Sequence, residues 1–336
     1  MTPLNDTMGR PLKDLRISVL DRCNLRCTYC MPEESLHGQG VFLPSHHLLS
    51  DGEIELLVRV FAGLGVHKLR LTGGEPLLRP GFIELVKRIS VIEGITDLAV
   101  TTNGILLPRQ ASALKEAGLG RITVSLDSLD EEIFREMAGR RGSVQQVLDG
   151  IAAAVEAGFE NLKINTVVQR GVNDHTIMDL VAHFRNSGHT VRLIEFMDVG
   201  NVNHWNRELV VPSADLLKII HDRWELRPVA EQPRGETARR YAFCDGAGEI
   251  GFISSISEPF CGDCTRARIT ADGMFYSCLF SASGTALRDR IRDGLGEDEM
   301  TEVIRELWTK RADRYSELRS NLPRHQPHVE MYRMGG

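Results

Sequence analysis

At 336 residues, 42% of them hydrophobic, the chain is long enough for one large barrel-type domain or two smaller ones with a real core. A formal charge of −6 and a pI near 6.0 exclude a general nucleic-acid binder, which carries a basic face, so any anionic ligand must meet a local cluster of Arg and Lys. No apolar run approaches bilayer length and the opening residues do not read as a secretory signal, so the expected setting is cytoplasmic, with no membrane partner.

From about residue 14 to about residue 197, β-branched runs alternate with helical stretches, the rhythm of parallel strands joined by crossover helices. The predicted strands are Leu15–Leu20, Lys68–Thr72, Leu98–Thr102, Arg121–Leu126, Leu162–Val168 and Val191–Phe196, and six such units make an open or partial barrel. Ser50 with Glu53 and Ser143 with Gln146 read as capping boxes opening two of the helices. After the first box, Ile54, Leu57, Val58, Phe61 and Leu64 recur at helical spacing and belong to the core. Beyond about Asn201 the pattern changes to a short helix, Ser213–Asp222, then strand-like pieces at Tyr241–Cys244, Glu249–Ile253, Arg266–Thr270 and Met274–Cys278, then two closing helical segments. The division expected is a barrel core over 1–200 and a smaller region over 201–336, packed tightly because no linker separates them. The last residues, Met334 to Gly336, read as a mobile tail.

Seven cysteines without an export signal point to metal or chemistry rather than a disulfide framework. Directly after the first strand, Cys23, Cys27 and Cys30 form a Cys-x3-Cys-x2-Cys array with an aromatic, Tyr29, before its last member. A structural zinc site wants four closed ligands, and no fourth Cys or suitably spaced His lies nearby. A four-iron cluster also takes four thiolates as a rule, so three imply one iron left open for a ligand from outside the protein. The arithmetic recurs at Cys261, Cys264 and Cys278. Cys244 is the remainder; its place in an apolar strand suggests a small buried core residue, with completion of the second set as the alternative.

These motifs resemble the radical S-adenosylmethionine superfamily and, within it, the GTP 3′,8-cyclases of molybdenum cofactor biosynthesis. The resemblance runs nearly end to end: Arg16 to Val19 (RISV) into the cysteine loop, Leu71 to Pro76 (LTGGEP), Thr101 to Gly104 (TTNG), Ser125 to Ser128 (SLDS), Glu195 to Asp198 (EFMD), the late cysteine triplet enclosing Arg266, Ala267 and Arg268, and the terminal Gly335-Gly336 pair. It implies a partial (β/α)6 barrel of the TIM type, with a C-terminal region carrying a second cluster that faces the first across the interior. Each motif falls at the C-terminal end of a predicted strand, where barrel enzymes build their sites.

The chemistry follows from the same resemblance. Cys23, Cys27 and Cys30 would hold three irons of a 4Fe-4S cluster, and S-adenosylmethionine would chelate the fourth. One electron from an external donor would release a 5′-deoxyadenosyl radical that takes hydrogen from ribose C3′ of GTP, after which C3′ attacks guanine C8. Tyr29, Gly73, Gly74, Ser125 and Met197 match the family's cofactor contacts. Arg16, Arg70, Thr101, Lys163, Arg266, Ala267 and Arg268 match its GTP contacts, with Lys68 and Arg192 as further neighbours. A second 4Fe-4S cluster on Cys261, Cys264 and Cys278 would bind the guanine, and Gly335 and Gly336 would reach into the site beside Arg266 and Arg268. The chain is expected to be a lyase, monomeric or homodimeric, whose product passes to a cyclic pyranopterin monophosphate synthase. A peptide-modifying radical enzyme and a non-catalytic zinc module are the rival readings.

Overall fold

The computed structural model describes residues 3–36, 42–233, 235–319 and 328–335. Its first half is the predicted alternation: β1 (Asp14–Ser18), α1 (Asp51–Gly63), β2 (Lys68–Thr72), α2 (Phe82–Ser90), β3 (Asp97–Thr102), α3 (Leu107–Glu116) and β4 (Arg121–Ser125). Next come α4 (Glu131–Met137), α5 (Val144–Glu156), β5 (Lys163–Val168), α6 (Ile177–Phe184) and β6 (Thr190–Glu195). The remainder supplies α7 (Ser213–Arg223), β7 (Leu226–Pro228), β8 (Arg239–Phe243), β9 (Glu249–Ile253), β10 (Arg266–Ile269), β11 (Met274–Tyr276) and β12 (Thr285–Ala286). Four helices follow: α8 (Leu287–Arg292), α9 (Glu297–Thr309), α10 (Tyr315–Leu318) and α11 (Met331–Met334).

The six strands β1 to β6 pair in sequence order and in parallel, as a run of crossover units requires. The later strands join both edges of this sheet: β10 lies parallel to β1, and β9 lies parallel to β6. Antiparallel ribbons, β11 with β12 on one side and β8 with β7 on the other, then complete the sheet. The expected six-stranded partial barrel is therefore the centre of a wider curved sheet, flanked on each side by strands from beyond residue 200.

Alternation along each strand sorts two environments. Leu15 and Ile17 of β1, Leu69 and Leu71 of β2 and Ile122 and Val124 of β4 are buried in one apolar cluster with the inner stripes of the helices. All five stripe residues of α1 join it, and the Ser50 box is complete: the Ser50 hydroxyl accepts from Glu53 N while the Glu53 carboxylate accepts from Ser50 N. At Ser143 only half of the expected box forms: the hydroxyl accepts from Gln146 N, which caps that helix at its start. The opposite faces of the strands carry the charged residues described below.

One buried carboxylate joins the barrel to the later region. Glu195, at the end of β6, accepts from Ser213 N at 2.8 Å, Ile256 N and Ser257 N at 2.8 Å, and the Ser257 hydroxyl at 2.5 Å. It is 1% exposed. Glu195→Ala strands these donors at roughly 1–3 kcal/mol for each buried amide, so its urea unfolding midpoint falls well below that of Glu195→Gln, which keeps one acceptor oxygen; equal midpoints for the two variants would refute the role.

Candidate active site

The first cysteine loop is gripped from both sides by backbone. Gly74 N donates to Leu20 O at 2.7 Å and Glu75 N to Arg22 O at 2.8 Å, while Arg26 N and Thr28 N donate to Ala138 O and Met137 O at 3.1 and 2.9 Å. A Cβ at Gly73 would run into Leu20 O, and one at Gly74 into Arg22 O, well inside contact distance. These glycines are thus required by the approach of the cysteine loop itself, a cause not legible in the sequence, where they stand only as matches to the family's cofactor contacts.

Behind the grip stand buried acids. The Glu75 carboxylate accepts from Thr102 Oγ1 at 2.7 Å, Asn103 N at 2.8 Å and Leu77 N at 3.1 Å; burial pushes its pKa up to about 7. Asn103 in turn donates to Asn24 Oδ1 at 2.7 Å, inside the loop. Tyr29 donates its hydroxyl to Asp127 at 2.7 Å, and Asp127 also accepts from Val167 N at 2.9 Å. Asp127, Glu75 and Asn103 lie within the quoted motifs, yet nothing in their spacing singled them out.

The three thiols sit close enough to feel one another. Burial raises all three, Cys23 to about 11, and neighbouring thiolates raise Cys27 and Cys30 further. Three negative charges so placed are untenable alone and become favourable only beside a multiply charged cation, which fits an iron centre. Among the described residues no three His, Cys, Asp or Glu side chains form a site for a single ion.

Cys261 and Cys264 bracket a single turn between β9 and β10, and Cys278 follows β11. All three line one cavity of about 170 Å³ together with Arg16, Thr101, Met197 and Arg268. Burial pushes the Cys264 thiol up, but the charges of Arg266 and Arg311 outweigh it and bring it down to about 7. Cys244, expected in the core, is instead exposed: β8 ends at Phe243, and the cysteine begins the turn that follows.

A second cavity of about 580 Å³ adjoins the first, and the two share Arg16, Arg70, Arg192, Thr237 and Arg266. Lys68 and Lys163 line the larger one. Arg16 and Arg70 are the middle residues of β1 and β2 and face each other in register, while Lys163 opens β5. The cationic groups therefore run along the strands to their N-terminal starts, whereas the sequence motifs had placed the site at the C-terminal ends. Arg121, which opens β4 and pairs with Asp97, lines the larger cavity, and Asn165, which accepts from Arg192 Nε at 2.9 Å, lines the smaller; neither was singled out. Asn165 follows Lys163 by two, the one sequence signal that could have found it.

Among the described residues, Arg16, Arg70, Lys163, Arg192, Arg266 and Arg268 have no carboxylate within ion-pair distance. Arg70 donates to the hydroxyls of Thr101 and Thr123 at 2.9 and 3.0 Å, and Arg266 to Gly235 O at 3.0 Å. Burial and mutual repulsion pull Arg16, Arg70, Arg192 and Arg268 down, and the same causes bring Lys163 to about 7. Such a set is completed by a polyanion.

Three expected residues sit differently. Ala267 turns away from this set into the apolar core. Ser125 ends β4 and lines neither cavity. The tail is packed, not mobile, as far as Gly335: Met334 is fully buried, and Arg268 donates to Gly335 O at 2.7 Å. Gly335 has φ +73°, and a Cβ there would collide with the Thr72 side chain. Gly336 lies outside the described residues.

Residues 17–184 match the radical SAM superfamily and residues 189–317 match Molybdenum Cofactor Synthesis C. The chain is 53% identical over 334 residues to the GTP 3′,8-cyclase of Xanthomonas campestris pv. campestris (strain B100), covering 99% of this chain and 98% of that one. It is 46% identical over 322 residues to the GTP 3′,8-cyclase of Acidothermus cellulolyticus, covering 95% and 89%. Among solved structures, Streptococcus suis SuiB bound to S-adenosylmethionine aligns with a TM-score of 0.60 at 17% identity over 90% of this chain and 69% of that one, a likeness of fold. The chain belongs to the radical SAM superfamily and, within it, to the GTP 3′,8-cyclase family.

Proposed function

We propose that this chain converts GTP into its 3′,8-cyclised dihydro form, the first step of molybdenum cofactor biosynthesis. The observation that carries this reading is a run of six cations, Arg192 and Arg268 buried and the other four partly so, without carboxylate partners among the described residues and joined to a cavity bordered by three cysteines. A nucleoside triphosphate matches both ends: its phosphates need the cations, and its base reaches the thiols. Membership in the superfamily brings S-adenosylmethionine and a 4Fe-4S cluster; Cys23, Cys27 and Cys30 would hold the cluster, and the two groups together would supply hydrogen-abstracting radical chemistry.

The chain's own residues then bind, orient and exclude water. Arg16, Arg70, Lys163 and Arg192, with Lys68, hold the triphosphate, and Thr101 fixes the ribose side of the cavity. Tyr29, Gly74, Ser125 and Met197 bound the S-adenosylmethionine pocket. Arg266 and Arg268, with Gly335, close the space around the reacting sugar, Gly336 takes the same role on the family resemblance alone, and Ala267 contributes only its backbone. Cys261, Cys264 and Cys278 would hold a second 4Fe-4S cluster, which would supply an iron to bind the guanine. The reaction is that of a lyase, the electron comes from an external donor, and the product is passed to a cyclic pyranopterin monophosphate synthase. The barrel core ends near residue 200, after β6, whereas the two family matches meet earlier, between residues 184 and 189. No helix among the described residues is long and apolar enough to cross a membrane, which suits a cytoplasmic setting.

Anaerobic reconstitution is expected to load about eight irons per chain, and GTP, S-adenosylmethionine and a strong reductant to yield 5′-deoxyadenosine with a cyclised isomer of GTP by mass spectrometry. Formation of 5′-deoxyadenosine with GTP unchanged would sink the substrate assignment and direct the search to a peptide.

Lys163 gives a pH test. Its folded pKa of about 7 leaves it largely neutral at pH 8 without ligand, and a triphosphate favours the charged form, so binding takes up a proton. Calorimetry at pH 8 in buffers of different ionisation enthalpy should report uptake of about one proton per GTP, lost in Lys163→Met, with affinity weakening from pH 7 to 9 in the parent alone. No uptake in the parent would remove Lys163 from the phosphate site.

At the tail, Gly335→Ala should displace the Arg268 contact at a cost of about 1–3 kcal/mol. Cyclisation would slow by about tenfold or more with iron content unchanged; an unaltered rate would show that the tail takes no part.

A further inference from the structure

Outside the cavity, a fully buried charge network holds the second cysteine loop from behind. Asp6 and Arg10 belong to the N-terminal segment bridged between Asn5 and Pro11, and Arg311 follows α9; their side chains are 0–1% exposed. The Asp6 carboxylate takes Arg10 Nε at 2.5 Å and Arg311 Nη1 at 3.2 Å, and also the amides of Met8 and Arg10 at 2.9 Å. The guanidinium groups then reach the loop: Arg10 donates to Cys261 O at 2.9 Å and Asp313 O at 2.7 Å, and Arg311 to Cys264 O at 2.8 Å. Trp308 closes the far side, its indole donating to Arg10 O at 3.2 Å and the Arg311 guanidinium lying 4.5 Å from its ring centre.

A buried ion network is seldom the most stable filling for its volume, since apolar residues of the same shape do as well or better. Here the network does what an apolar filling could not: it donates to the carbonyls of two cysteines from the same loop, and its two guanidinium groups are held there by two carboxylates, Asp6 and Asp313, the latter 3.6 Å from Arg311 Nε. We propose that Asp6, Arg10 and Arg311 are positioning residues for the second cluster, fixing the spacing at which Cys261 and Cys264 present their thiolates and raising the cluster's reduction potential. The inference rests on the reading that these cysteines hold a cluster. Hydrogen bonds and net charge around a cluster are among the levers that set its potential, and groups behind the ligands commonly govern retention.

The test isolates each cluster. In a chain carrying Cys23→Ala, Cys27→Ala and Cys30→Ala, Arg311→Gln is expected to speed iron loss to a chelator by about tenfold or more and to lower the midpoint potential followed by electron paramagnetic resonance. Arg10→Lys, which keeps the charge and loses the planar fork, should speed iron loss with little change in potential, and it serves as the second variant if Arg311→Gln does not fold. In the reciprocal chain carrying Cys261→Ala, Cys264→Ala and Cys278→Ala, neither substitution should alter the remaining cluster. Unchanged retention and potential in the first background, or equal changes in both, would overturn the proposal. Failure of the first background to take up iron before either substitution is added would instead overturn the second-cluster reading, and this proposal with it.

Discussion

Positive charge largely withdrawn from water, with no carboxylate at ion-pair distance among the described residues, is the constraint on which the rest of this structure depends. Arg16, Arg70, Lys163, Arg192, Arg266 and Arg268 share one face of the sheet, and hydroxyl, amide and carbonyl groups hold Arg70, Arg192, Arg266 and Arg268 in place. Such an interior is costly on its own and persists because the surrounding apolar layer is continuous from α1 to α9. The chain as a whole is acidic, so the concentration of cations inside is a local arrangement rather than a drift of composition.

The region beyond residue 200 is what turns a six-stranded sheet into a site. By placing β10 against β1, it brings Arg266 and Arg268 into register with Asp14 and Arg16. By placing β9 against β6, it closes the other flank, and Glu195 fastens the two where they meet. Each cysteine loop is held from elements remote in sequence, the first by glycine approaches and backbone hydrogen bonds and the second by guanidinium donors to its carbonyls.

Much of this was legible in the sequence, and the reasons differ by residue. The six barrel strands were placed to within a residue or two because period-two burial and helix caps such as Ser50 are local signals. Sheet order beyond β6 was not, since pairing β10 with β1 joins segments some 250 residues apart and no local pattern encodes that choice. Cys244 misled because its apolar neighbours read as strand for one residue longer than the chain stays extended. The Met334–Gly335 tail misled for the opposite reason: its order comes from Arg268 and Thr72, contacts invisible at the end of a chain. The Asp6–Arg10–Arg311 network left no trace at all, being three ordinary surface-type residues until the fold assembles them.

The packing of Gly335 has a practical consequence for handling the protein. Its carbonyl is bound to Arg268 within the sheet's interior, and Met334 beside it is wholly buried. A bulky group attached at Met334 or Gly335 would therefore have to break the Arg268 contact or expose a side chain that is wholly buried.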